Sequence, residues 1–197
     1  MKRLFLLVSL VACSFLIGNK GVAQSVKIGL KGGISVANQQ YSGGNVSFTP
    51  DSKIRPHFGL FLNVKPIPQL GIQPELLFAG QGYGKSSGTF PEEGVNFNYL
   101  AVPIMLKYYP VGMVNIHAGP QLGFLIGGDS FNGVSVTEET KKAEVALCVG
   151  AEVFPIDMLG FSVRYVAGLS DIYDGANADQ ITVKNKTIQF SVLISLN

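Results

Sequence analysis

No tryptophan occurs in the sequence, and charged residues make up only 14% of it, against roughly a quarter in a typical soluble globular chain. No clustered basic face is present, so nothing points to nucleic acid as a partner. Beyond residue 24 there is no run of 18 apolar residues, which argues against a helix crossing a bilayer. Runs of Ala, Glu, Lys and Leu, the usual material of soluble helices, are missing after the first 20 residues. Yet mean hydropathy is +0.31 and glycine reaches 24. An apolar chain that is neither helical nor charged needs another way to satisfy its backbone.

Cysteine occurs only at positions 13 and 148. Lys2 and Arg3 open a basic segment, Leu4 to Gly18 is apolar, and Gly21-Val22-Ala23 offers small residues before Gln24. This order predicts an export signal over residues 1–23, cleaved between Ala23 and Gln24. About 15 apolar residues are short for a span of roughly 20. Leu10-Val11-Ala12-Cys13 resembles a lipoprotein box, but the apolar run continues through Phe15-Leu16-Ile17, so cleavage there would cut it in the middle. Removal of residues 1–23 takes away Lys2, Arg3 and Lys20 and no acid, leaving 12 basic against 13 acidic residues. It leaves Cys148 alone, without a disulfide partner. Residues 24–197 carry no composition break and read as one domain.

Within that domain apolar residues recur with a period of two. In Lys186–Asn197, Ile188, Phe190, Val192, Ile194 and Leu196 alternate with Thr187, Gln189, Ser191, Leu193 and Ser195. The same alternation runs through 159–170, 143–154 and 114–126, and strands are expected also at 25–38, 55–66, 70–83 and 97–109. In 97–109, Leu100, Val102, Ile104, Leu106 and Tyr108 form one face. Tyr99, Ala101, Pro103, Met105 and Lys107 form the other. The result is eight strands of about 12 residues, close to the length that crosses a bilayer when tilted.

The connections alternate as well. Those at 66–69, 110–113 and 155–158 are short, whereas 39–54, 84–96, 127–142 and 171–185 are long and polar. Strands in hydrocarbon must close on themselves, because no N–H or C=O can be left unpaired there. The expected fold is therefore all-β: an eight-stranded antiparallel transmembrane up-and-down barrel with short periplasmic turns and longer extracellular loops. Phe58, Phe78, Phe124 and Phe190 fall towards the long loops, and Tyr108 and Phe161 towards the short turns, as an aromatic girdle requires. A soluble barrel or sandwich would carry charges on its outer face instead. Pro56, Pro74, Pro103 and Pro120 lie inside predicted strands, where proline cannot donate to the ladder. Each should mark a bulge, a strand end or a shifted boundary.

Candidate functional residues collect on the polar face: Lys27, Lys31, His57, Asn63, Lys65, Gln73, Glu75, Gln81, Lys107, His117, Gln121, Glu144, Glu152 and Arg164. Eight strands leave an interior that side chains can fill, and charges there are best paired. Glu152 and Arg164 are expected to pair across neighbouring strands, and Glu75 to meet Lys65 or Lys107. The network Lys31, Lys65, Glu75, Lys107, His117, Glu152 and Arg164 reads as a structural plug or, in the sharper reading, as the wall of a narrow conduit. No catalytic residue is assigned, because His57 and His117 accompany no nucleophile motif. No metal site or cofactor is expected either: two lone histidines are poor zinc ligands. The loop Ser170–Asp179 concentrates oxygen atoms but lacks EF-hand spacing.

Gly29-Leu30-Lys31-Gly32-Gly33, Gln73-Pro74-Glu75-Leu76-Leu77-Phe78 and Tyr99-Leu100-Ala101-Val102-Pro103-Ile104 resemble the outer-membrane protein β-barrel domain family, small barrels also termed "porin family". The resemblance runs over essentially the whole of residues 24–197. It implies an integral protein of a Gram-negative outer membrane, in contact with outer-membrane lipid. It implies barrel-assembly machinery and periplasmic chaperones as partners during biogenesis. Some members are linked to a secretion apparatus, so a surface or secretion partner is expected. The expected role is structural, surface-interacting or accessory to secretion. The alternatives are a narrow pore for ions or small solutes and an outer-membrane lipid-modifying enzyme.

Overall fold

Eight long strands alternate apolar and polar residues because successive side chains of a strand point to opposite faces. The computed structural model describes residues 25–43, 46–48, 51–84, 95–128, 130–131, 134–135, 140–172 and 182–196. The expected export signal and its Ala23–Gln24 junction lie outside them, as do Tyr173 to Asp179 of the oxygen-rich loop. The long strands are β1 (Ser25–Gly43), β2 (Lys53–Ile67), β3 (Leu70–Tyr83), β4 (Val95–Val111), β5 (Val114–Gly128), β6 (Ala143–Ile156), β7 (Leu159–Gly168) and β8 (Thr182–Ser195). Each is antiparallel to the next, and β8 pairs back onto β1 from Gly29↔Ser195 to Ser42↔Thr182. The sheet is thus a closed eight-stranded barrel. A short strand, Val46–Phe48, folds back onto the end of β1, and a small ribbon joins Ser130–Phe131 to Val134–Ser135. Among the described residues no helix is long and apolar enough to cross a membrane.

The faces follow the alternation. On β4, Tyr99, Ala101, Met105 and Lys107 are buried, while Leu100, Ile104, Leu106 and Tyr108 are exposed on the outside. Phe58, Phe124, Phe190 and Phe161 are exposed too, and Phe58 stacks on Phe78 with ring centroids 5.1 Å apart. An apolar surface of this extent would be untenable in water. On β8 the outward residues pass from Lys184 and Lys186 to Ile188, Phe190, Val192 and Ile194, which places one edge of the apolar belt between Lys186 and Ile188.

Two expectations are corrected. Seven of the eight long strands exceed 12 residues, β1 with 19 and β4 with 17, whereas β7 has 10. Residues 39–43, 95–96, 127–128 and 182–185, read as loop, belong to the ladder. Alternation fades there because the outward side chains turn polar, but the backbone still needs partners. Gln39 Nε2, for example, donates to Asn185 Oδ1 at 2.9 Å inside the extended end.

Pro56, Pro74, Pro103 and Pro120 require no bulge; the register shifts near the short turns fall instead at Pro66, Pro110 and Pro155. Between β3 and β4 pairing runs to Pro74↔Ile104 and resumes at Leu77↔Ala101 in the same register, omitting Pro103. On its other side Pro103 stays paired with Gln121. Its missing donor therefore points at β3 and costs one ladder position without a slip. Pro74 and Pro120 behave alike. Each drops out of the pairing with the preceding strand and is retained by the following one, as Pro74↔Ile104 and Pro120↔Leu147. Pro56 is paired with Ile34 of β1 and lies where the β2–β3 ladder ends, beyond His57↔Ala79.

Candidate functional site: the interior polar network

The lumen is crossed by a charged network. Arg164 of β7 grips Glu75 of β3 with two parallel bonds, Nη1 to Oε2 at 2.8 Å and Nη2 to Oε1 at 2.6 Å. This fork-on-carboxylate geometry is the strongest arrangement available to the pair. Glu75 also accepts from Lys31 Nζ of β1 at 3.3 Å and from Gln73 Nε2 at 2.8 Å. Its four bonds fill the acceptor capacity of a carboxylate. Lys107 of β4 joins this half to the next, donating to Gln73 Oε1 at 2.6 Å and pairing with Glu152 of β6. Asn115 of β5 adds a bond to Glu152 Oε2 at 3.3 Å.

The histidines lock the remaining strands. Arg164 Nε donates to His117 Nε2 at 3.2 Å, so the His117 proton sits on Nδ1, facing Asn115 Oδ1 at 3.2 Å. His57 of β2 lies between Ser35 Oγ of β1 (3.0 Å) and Ser191 Oγ of β8 (2.8 Å). All eight strands thus contribute a side chain to interior bonds. Three cations, Lys31, Lys107 and Arg164, face two carboxylates. Glu144, nearer the long connections and bonded to Asn185 Nδ2 at 3.0 Å, evens the formal count.

The expected partnerships are rearranged. Glu152 and Arg164 do form the expected ion pair, but a long one at 3.9 Å, because in register Glu152 faces Ser162 and Arg164 faces Gly150. Glu75 meets neither Lys65 nor Lys107. Lys65 lies outside the network near the short turns, its Nζ 3.6 Å from the centre of the Tyr109 ring. Lys27 lies at the same end, bonded to Asp157 at 3.2 Å. Gln81 and Gln121 are buried on the lumen side, Gln121 beside the free thiol of Cys148 (3.5 Å), and Asn63 donates to Tyr109 Oη at 2.7 Å. In the oxygen-rich loop Asp171 caps a strand, accepting from Val183 N at 2.8 Å. Among the described residues no three His, Cys, Asp or Glu side chains could share a metal ion.

Asn115, Ser35 and Ser191 join the network unexpectedly although parity alone assigns them to the lumen, whereas Gln39 and Asn185 fall in segments expected as loops, where parity gives no face. Sequence reading also passed over Gly150. A Cβ at Gly150 would collide with the Val163 carbonyl oxygen and stand 2.7 Å from His117 Nε2 and 2.9 Å from Arg164 Cα, so the missing side chain is room that the β7 backbone and the His117 ring occupy. Gly150→Val should destabilise the barrel by about 1–3 kcal/mol through overpacking. The measure is the urea midpoint of the refolded protein, and an unchanged midpoint would contradict the tight fit.

The profile of the family described as outer membrane protein beta-barrel domain matches residues 22–174 of the chain. Among solved structures, Ail, the attachment invasion locus protein of Yersinia pestis, in complex with the heparin analogue sucrose octasulfate, superposes with a TM-score of 0.53 at 16% identity. That alignment covers 87% of this chain and 99% of Ail. Neisserial surface protein A superposes with a TM-score of 0.54 at 8% identity, over 88% of this chain and 99% of the other. At such identities the likeness concerns the fold. No curated protein matches the sequence.

Proposed function

Because the chain belongs to the outer membrane protein beta-barrel domain family, we propose that it works in the outer membrane as a sealed barrel. Its role in this reading is structural, surface-interacting or accessory to secretion. The observation that carries the reading is the state of the interior polar groups: the charges of Arg164 and Lys107 and the amide of Gln73 have no surface open to water. A conduit needs water beside its polar wall, and here the side chains fill the space themselves. The histidines support a non-catalytic role. His57 touches two serines and no carboxylate, so the orienting acid of a hydrolytic triad is missing from its contacts. His117 has Glu152 Oε1 4.0 Å from its Nδ1, but its Nε2 is taken by the Arg164 donor and its Nδ1 faces Asn115, so neither nitrogen is left to serve a nucleophile.

In this reading residues 1–23 direct export, the short turns face the periplasm, and the long connections face outward. Outer-membrane lipid covers the apolar belt. Barrel-assembly machinery and periplasmic chaperones handle the chain on its way, and a surface or secretion partner meets the outer loops, where binding residues concentrate on a rigid scaffold. Planar-bilayer recording tests the seal. Refolded pure protein should give no reproducible single-channel steps, and unitary steps would overturn the plugged reading in favour of a narrow pore.

A further inference from the structure

The three short turns are built by one device. Each is closed by an apolar pair, Ile67↔Leu70, Val111↔Val114 or Ile156↔Leu159. Just before each closing pair the register slips by one residue. Lys65-Pro66 stands against Gly71, Tyr109-Pro110 against Asn115, and Phe154-Pro155 against Gly160. One extra residue on one strand is a β-bulge, and proline suits it because the bulged residue has no ladder bond to give up. The bulge also reverses the two-residue repeat. Lys65, Tyr109 and Phe154 keep to the lumen, where they line the cavity that opens at this end. Unbroken alternation would send Ile67, Val111 and Ile156 there as well. Instead they stand opposite outward residues and are 42%, 58% and 61% exposed, and none of the three lines that cavity.

We propose that the short turns are seated inside the membrane, where the collar of Ile67, Leu70, Val111 and Ile156 packs against acyl chains of the leaflet on that side. Three observations select lipid as the occupant. The collar continues the apolar belt, since Leu70 leads on to the exposed Ile72 on β3 and Val111 to the exposed Tyr108 on β4. It also surrounds the barrel. The turns join β2 to β3, β4 to β5 and β6 to β7, and at the seam of β8 with β1 the exposed Leu196 bonds through its N–H to the carbonyl of the exposed Ile28. A protein partner meets one side, whereas apolar residues at all four junctions fit a medium that encloses the barrel. Finally, charge is scarce. Of the tip residues 68–69, 112–113 and 157–158 only Asp157 is charged, and its side chain is 99% exposed. Water therefore begins at the tips, directly beyond the collar. At the opposite end the belt stops differently, at the outward Lys186 within a strand.

The proposal deepens the membrane reading above and rests on it. The chain has no tryptophan, so a single introduced one reports its own surroundings. Ile67→Trp, Val111→Trp and Ile156→Trp, with Ile104→Trp as the mid-belt reference, are refolded as full chains into phosphatidylcholine vesicles. The quenchers are phosphatidylcholine brominated high on its acyl chains and iodide present on both sides of the vesicle. Each turn tryptophan should lose most of its emission to the brominated lipid, and iodide should quench it several-fold less than it quenches free N-acetyltryptophanamide. Iodide quenching as strong as that of the free amide would put the turns in water and overturn the collar. Shielding from both quenchers would mean that a second copy of the chain covers it, and would overturn it too. Three separate positions keep the test decisive if one variant folds poorly. Iodide-exposed turns beside a lipid-quenched Ile104→Trp would sink the collar alone. An Ile104→Trp that brominated lipid does not quench would sink the membrane reading itself.

Discussion

Arg164→Met should cost the barrel about 3–5 kcal/mol, because removing one partner of a buried pair leaves the other charge uncompensated. Arg164 has no exposed surface and supplies two of the four bonds to Glu75. Its loss also frees His117 Nε2, whose tautomer it sets. Lys31 remains beside Glu75, but at 3.3 Å with a single contact it cannot replace a two-pronged clamp. The measurement is urea-dependent unfolding in detergent or liposomes, followed by heat-modifiable gel migration. Arg164→Met combined with Glu75→Gln should be the more stable of the two variants, since the stranded carboxylate is gone. If the double variant is as unstable as the sum of the single changes, the two residues do not act as a pair.

Ile104→Lys should impair membrane insertion by about 2–4 kcal/mol, the cost of a lysine on the lipid face near mid-bilayer. Ile104→Leu should change little, since it conserves volume and polarity. Ile104 is 51% exposed, and Leu106 on the same face is 59% exposed, whereas Met105 between them is wholly buried. The side that each residue takes therefore decides what it can tolerate. Folding yield into liposomes compares the three proteins directly. A lysine variant that inserts as well as the parent would mean that the outer face of β4 does not meet hydrocarbon.

The interior shows where local patterning stops being informative. Parity along a strand is local geometry, so it put Lys31, Glu75, Lys107, His117, Glu152 and Arg164 in the lumen without reference to any other strand. It could not say that Glu75 reaches Arg164 four strands away. Nor could it say that Lys107 turns to Glu152 instead of the neighbouring Glu75. Those distances depend on the tilt and stagger that closure imposes, and no single strand carries them. Gly150 illustrates the same limit: in the sequence it is one more glycine, and only the closeness of the His117 ring and the β7 backbone gives its missing side chain a purpose.

Strand ends divide in the same way. The apolar alternation fades before Gly43 and begins after Thr182, so the sequence alone placed the edges of the lipid belt more closely than the ends of the strands. The ladder outruns the belt because backbone groups need partners beyond hydrocarbon too. Pro103 belongs to both levels. That it removes a donor follows from its chemistry wherever it stands. That the gap faces β3, while pairing to Gln121 of β5 is kept, was decided by register. The residue order by itself determined eight strands, two faces and an apolar exterior, because each follows from the two-residue repeat of a strand. Closure decided which charges answer one another and where a cavity is left beside Lys65, because those contacts join residues that only the finished barrel brings together.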